Sequence, residues 1–287
     1  MKMTYRVDPA LSGLCVRDFL RREAKLSASL YKAAKTTGGF LVNDRPALPH
    51  TPLAAGDILT VFLPLDTPSA IEPVDLPLEV LYEDDDLLAV NKPAGMPVHP
   101  SFRHHTDTLA NAVCYRYRAS PFTFRVLTRL DGDTTGVVLI ARNALAASAF
   151  DHASAVKTYY AVTDGVPHPL CGVVDLPLAR DEGVIKRRVS PDGKPAVTRY
   201  ETLGEKDGRA LVKCVPVTGR THQIRVHLSA IGCPIIGDFL YGKEIAGERT
   251  RLHCFCVAFK HPLSGKTLTV TAPLPPDMKS PAFPNDP

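Results

Sequence analysis

Residues 127–143 read LTRLDGDTTGVVLIARN. The run GVVLIA is of strand length and the polar hexapeptide DGDTTG before it has turn composition, so the segment predicts a polar turn feeding a buried strand. Two carboxylates, Asp131 and Asp133, stand one residue apart in that turn. Three uses of such a pair are open at this point: a turn and nothing more, a metal site, or a catalytic nucleophile with its helper. Working outward, strand-like runs recur at LLAV (87–90), KTYYAV (157–162), ALVKCVPV (210–217), CFCVAF (254–259) and TLTVTA (267–272). Helical spacing is rarer. It is found in TLANAVCYRYR (108–118), NALAASAFDHA (143–153) and THQIRVHLSAIG (221–232), the last with Ile224, Leu228 and Ile231 on one face and Gly232 and Pro234 as its stop. Many strands with few helices predict an α+β domain on a mixed, mainly antiparallel central sheet.

The 287 residues are 45% hydrophobic, enough for a buried core. No run of eighteen or more apolar residues occurs, and MKMTYRVDPALSG lacks the apolar middle of a secretory leader. A cytoplasmic protein with no membrane partner is expected. The seven cysteines, Cys15, Cys114, Cys171, Cys214, Cys233, Cys254 and Cys256, are scattered and read as reduced thiols. His253, Cys254 and Cys256 form H-C-x-C without a second ligand pair at metal spacing, and the alternation of HCFCVAF suits a strand, so no metal is expected. The net charge of +4 is unevenly spread: residues 1–64 hold nine Lys/Arg against five Asp/Glu, and residues 65–287 hold 25 of each. A basic module on a neutral body suggests an anionic partner.

Within that module, CVRDFLRREAKL places Val16, Phe19 and Leu20 at helical spacing, and a second helix runs from a cap at Ser27 or Ser29 to Gly38-Gly39. Two short strands, GFLVND and GDILTVFL, should follow. Two helices, then GFLVND, then GDIL resembles the small αL RNA-binding domain first known from ribosomal protein S-four, over roughly residues 11–64. The resemblance implies RNA contact by the helix cations, Arg17, Arg21 and Lys32 among them. Residues 65–78 are proline-rich and predict a linker, 79–272 the catalytic domain, and 273–287 a proline-rich, unstructured tail.

The carboxylate pair can now be weighed against a wider pattern. DGDTT fits the D-x-D-x-T of haloacid-dehalogenase-type phosphatases, but the downstream lysine and acidic pair of that chemistry are not evident. The longer string TRLDGDTTGVVLIARN resembles the catalytic motif of RluA-type RNA pseudouridine synthases, commonly H-R-L-D-x-x-T-S-G. Other marks of that family appear in order: LLAVNKPAGMPVHPS (87–101), KTYYAV (157–162), GRTHQIRVHLSAIGCPIIGDFLYG (219–242) and RLHCF (251–255). The resemblance spans nearly residues 11–272. Thr128 stands where the family has histidine and Thr135 where it has serine.

The resemblance implies isomerisation of specific uridines to pseudouridine in structured RNA, ribosomal RNA first and transfer RNA second, by a monomer without a cofactor. The reaction breaks the bond from ribose to N1 and rejoins uracil through C5, with no redox change, and it needs a carboxylate beside the sugar. By family position that is Asp131. A facing guanidinium holds a carboxylate charged and oriented, and the implied partner is Arg225. Tyr159 is implied to stack on the target base, and Arg129 to fill the gap left when that base is flipped out. Lys92 and His99 are candidates to face RNA, and Arg220 and His222 to meet phosphate at a helix N-terminus.

Overall fold

The computed structural model describes residues 2–279. The N-terminal unit comprises β1 (Lys2–Arg6), α1 (Val16–Arg22), α2 (Ala28–Thr37), β2 (Phe40–Val42), β3 (Arg45–Ala47) and β4 (Ile58–Phe62). Helix α2 begins at Ser27, whose hydroxyl accepts from the Leu30 amide, and ends at Gly38 and the left-handed Gly39. The four strands pair in the order β1-β4-β2-β3, one strand pair more than the sequence announces. β1 and β3 escaped notice because both are short edge strands completed only by their neighbours: KMTYR turns just Met3 and Tyr5 to the core, and RPA carries no apolar alternation.

The body contains β5 (Glu79–Glu83), β6 (Leu87–Lys92), α3 (Leu109–Arg116), β7 (Arg125–Val126), β8 (Thr135–Ala141), α4 (Ala144–Ala149), β9 (Val156–Asp164), β10 (Cys171–Asp175), β11 (Leu178–Arg180), β12 (Arg187–Val189), β13 (Val197–Lys206), β14 (Arg209–Pro216), α5 (Gln223–Ala230), β15 (Leu252–Lys260) and β16 (Thr267–Thr271). One large sheet runs β10-β13-β14-β9-β15-β8-β6-β5, with β16 on β15 and β7 on β8. Every pairing is antiparallel except β8 with β15. The expected mixed, mainly antiparallel sheet is therefore present.

All seven residues of β8 are buried because both sheet faces are covered. Val137, Leu139 and Ala141 join the core under α4 and α5, while Val138 and Ile140 join the core under α3, the two-residue alternation of a central strand. Gly136 is where β8 meets β15: its φ is +110°, and a Cβ there would collide with the Cys254 carbonyl, so only glycine lets the strands close.

Residues 65–78 contain no helix or strand and form a strap against the body. Asp66 takes both terminal nitrogens of Arg125 at 2.7 and 2.8 Å, and Ile71, Leu76 and Leu78 pack on the α3 core. The N-terminal unit is also fastened to the body: Leu145 of α4 lies in its core, and the Ser148 hydroxyl accepts from the Ser27 amide and donates to the Lys25 carbonyl. The expected unstructured tail needs correction over 273–279. Leu274 and Met278 are buried beside Tyr160, Val162 and Leu211, because the outer face of β9 and β14 would otherwise be bare. Asp277 pairs with Arg249 there. The rest of that tail, 280–287, lies outside the described residues. Among the described residues no helix is long and apolar enough to cross a membrane.

Candidate active site

Asp131 lies in the turn between β7 and β8, closed by a bond from the Thr134 amide to the Asp131 carbonyl. Lys92, the last residue of β6, holds that turn in place. Its ammonium donates to the carbonyls of Pro93 and Gly132 at 2.7 Å and of Met96 at 2.8 Å, which ties the 93–96 loop to the residue between the two carboxylates. Lys92 is fully buried, so its expected place facing RNA is corrected: three inward carbonyls satisfy the whole ammonium. Burial pushes its pKa down to about 7, against the pull of Asp133 and Asp131.

Thr128 accounts for the departure from the family histidine. It is buried, and its hydroxyl accepts the Leu139 amide at 2.8 Å, so it completes the β7–β8 junction from inside. Thr135 is likewise turned inward, 2.8 Å from Nδ1 of His253. The other ring nitrogen of His253 meets the Ala272 carbonyl at 3.3 Å, and burial lowers its pKa to about 4. With one nitrogen accepting and the other donating, His253 has the partners of a neutral imidazole.

Opposite Asp131 stands Arg225 on α5. Ile224 and Leu228 enter the core, as the helix-face argument expects, but Arg225 is itself buried, with 4% of its side chain exposed. Its principal partner is not Asp131. Nε and Nη2 make a bidentate pair with Asp238 at 2.8 and 2.7 Å, and only Nη1 turns to Oδ2 of Asp131, at 3.5 Å. Asp238 is completely buried and also accepts the Leu240 and Tyr241 amides. Sequence reasoning missed it. The available signal was a single carboxylate in the otherwise apolar CPIIGDFLYG, since a charge folded into such a run needs a partner.

Tyr159 reaches the site through the sheet. β15 runs between β8 and β9, so Cys254 pairs with Gly136 on one side and with Tyr159 on the other. Tyr159, Asp131, Arg129, Arg220, His222 and Arg225 all line one cavity of about 420 Å³, together with Lys157, two residues before Tyr159 on β9. Burial holds the Tyr159 phenol far above its ordinary range, with Cys254 and Asp131 adding to the effect. Tyr160 points to the other face and packs on Phe255.

The remaining cations divide. Arg129 and His99 are exposed, and partial burial followed by the Arg129 charge lowers the His99 pKa, so the two lie within electrostatic reach of each other, with Arg129 on the cavity lining. Arg220 is exposed, and its Nε donates to the Pro195 carbonyl. His222 turns into the cavity instead of outward from the helix end, with Nδ1 2.8 Å from the Tyr241 hydroxyl and Nε2 3.9 Å from Oδ2 of Asp131. Arg17, Arg21 and Lys32 are exposed on the N-terminal unit, and the first two act electrostatically on Tyr31, so they share a patch with α2.

The sequence profile described as RNA pseudouridylate synthase matches residues 86–230. The chain is 37% identical to the ribosomal large subunit pseudouridine synthase D of Zymomonas mobilis, over 96% of this chain and 92% of that protein. It resembles the solved structure of human RNA pseudouridylate synthase domain containing 4, with a TM-score of 0.56 and 31% identity over 70% of this chain and 90% of that one. The structure of human RNA pseudouridylate synthase domain containing 1 aligns with a TM-score of 0.60 at 26% identity, over 73% and 89% of the two chains.

Proposed function

The chain belongs to the RNA pseudouridylate synthase family and is an RNA pseudouridine synthase, and from that premise we propose that it isomerises specific uridines of ribosomal RNA with Asp131 as the reacting carboxylate. The observation that carries the assignment is the convergence of Asp131, Arg225 and Tyr159 on one cavity from three separate elements. A carboxylate faced by a buried guanidinium that is itself fixed by Asp238 is ready to act on a sugar or base without waiting for solvent to reorganise. The ribosomal substrate is supported by the relatives named for the large ribosomal subunit.

Around this centre, Tyr159 offers a ring face for the target uracil and a hydroxyl for proton transfer near C5. Stacked RNA hides the reacting atoms, so the uridine is flipped out, and Arg129 at the exposed mouth fills the vacancy beside His99. Arg220 contacts the backbone at the cavity rim. The N-terminal unit acts as an αL RNA-binding domain through Arg17, Arg21 and Lys32. Its fastening to α4 supports a fixed geometry between RNA grip and cavity.

The test is release of tritium from RNA labelled at uridine C5, with pseudouridine mapping on cellular RNA. Asp131→Asn is expected to abolish turnover while RNA affinity stays within about threefold of wild type, since affinity rests on phosphate contacts elsewhere. Turnover near the wild-type rate in that variant would remove Asp131 from the chemistry.

A further inference from the structure

Asp131 has two neighbours on one oxygen. Nη1 of Arg225 lies 3.5 Å, and Nε2 of His222 3.9 Å, from the same atom, Oδ2. No contact to Oδ1 is recorded among the described residues, so the carboxylate is held by one edge and presents the other.

What His222 offers to that oxygen depends on where its proton sits, and the surroundings decide it. The Tyr241 hydroxyl accepts the backbone amide of Arg187, in β12, at 2.7 Å. Its own proton has one acceptor in reach among the described residues, Nδ1 of His222 at 2.8 Å. A neutral imidazole that accepts at Nδ1 carries its proton on Nε2, the nitrogen turned to Asp131. Burial lowers the His222 pKa, with Arg225 and Arg187 acting in the same direction, against the pull of Asp131 and Asp238. The backbone adds a constraint: His222 has a φ of +57° at the start of α5, a left-handed conformation that a histidine adopts at some cost and that aims the ring between Tyr241 and Asp131.

We propose that Tyr241 fixes His222 as the Nε2–H tautomer, so that His222 and Arg225 together hold Oδ2 of Asp131 and leave Oδ1 to the substrate. His222 is then a positioning residue, and Tyr241 acts through it. Because the Tyr241 hydroxyl also takes the Arg187 amide, the β11–β12 hairpin becomes part of what orients the reacting group. The inference rests on the role given to Asp131 above, but its first test does not.

That test is a long-range proton–nitrogen spectrum of the full chain labelled at histidine nitrogen, with His222 assigned from its loss in His222→Gln. The wild type is expected to show a protonated Nε2 and a bare Nδ1, and Tyr241→Phe a mixture of tautomers in an otherwise unchanged, dispersed spectrum. An Nδ1–H or doubly protonated His222 in the wild type, or a Tyr241→Phe spectrum with the tautomer unaltered, overturns the proposal whatever the activity.

The kinetic arm uses the tritium-release assay. Tyr241→Phe is expected to lower kcat between about 10- and 100-fold with KM within about twofold, the cost of a misaligned reacting group. His222→Asn, whose amide ends at the Nδ1 position, should lose as much. His222→Gln ends at the Nε2 position and should recover most of the rate. Equal loss in the Asn and Gln variants would mean that a donor aimed at Oδ2 is not what His222 supplies. Full activity in Asp131→Asn would instead overturn the underlying role of Asp131, with the tautomer spectrum still deciding the geometry.

Discussion

Replacing Asp238 tests the organisation of the site most directly, because Asp238 neither lines the cavity nor meets solvent and reaches the site only through Arg225. Asp238→Ala removes both acceptors of the Arg225 pair and leaves a guanidinium with 4% exposure facing a void. Breaking a buried pair from one side costs about 3–5 kcal/mol, since the abandoned charge stays desolvated. With a urea dependence of about 3 kcal/mol per M for a chain of this size, the unfolding midpoint should fall by about 1–1.7 M. Turnover should fall too, because a released Arg225 is free to swing toward Asp131 and a displacement of about 1 Å at a reacting group costs roughly 100-fold. A second variant separates the two effects. Arg225→Met with Asp238→Leu replaces the pair by apolar side chains, which is often neutral for stability, so the midpoint should return while turnover does not. Urea unfolding followed by circular dichroism and tritium release on the same preparations measure both. An Asp238→Ala midpoint within about 0.3 M of wild type, or turnover near wild type, would refute the claim that Asp238 is the anchor of Arg225.

Three further outcomes are expected. Lys92→Met strands the carbonyls of Pro93, Met96 and Gly132; partial access of water limits the loss to about 2–4 kcal/mol, read as a urea midpoint, and turnover should drop because the Asp131 turn loses its tie. His253, with a folded pKa of about 4 against about 6.5 unfolded, binds its proton more readily in the unfolded chain, so its contribution is present at neutral pH and is lost as pH falls through that window. Between pH 7 and pH 5 the wild type should lose about 2 kcal/mol more than His253→Gln in parallel urea titrations. Deleting residues 1–64 should weaken RNA binding more at low salt than at high salt, and equal loss at both would mean that the N-terminal unit is not an electrostatic anchor.

Much of the body was legible because its information is local. The apolar runs at 87–90, 137–141, 157–162 and 254–259 are strands in the structure, and α2 starts at Ser27, one of the two caps the sequence offers, and stops at Gly38 of the Gly38-Gly39 pair. Period and capping act over a few residues, so a sequence carries them openly. The edge strands β1, β3 and β10 were not legible, since strands of three to five residues at a sheet edge carry too short a pattern and are defined by the neighbour that pairs with them.

At the candidate site the sequence by itself determined the chemical types and, through the long motifs, that Asp131, Tyr159 and Arg225 belong together. It could not determine which charge faces which. Lys92 looked like a loop cation and is a buried tie to a residue 40 positions away. Arg225 looked like the partner of Asp131, 94 positions away, and is bound first to Asp238, 13 positions on. Ion pairs and hydrogen bonds between distant residues form only when packing removes water and leaves one satisfying arrangement, so the tertiary structure alone decided that the Asp238–Arg225 pair stands behind Asp131 with His222 beside it.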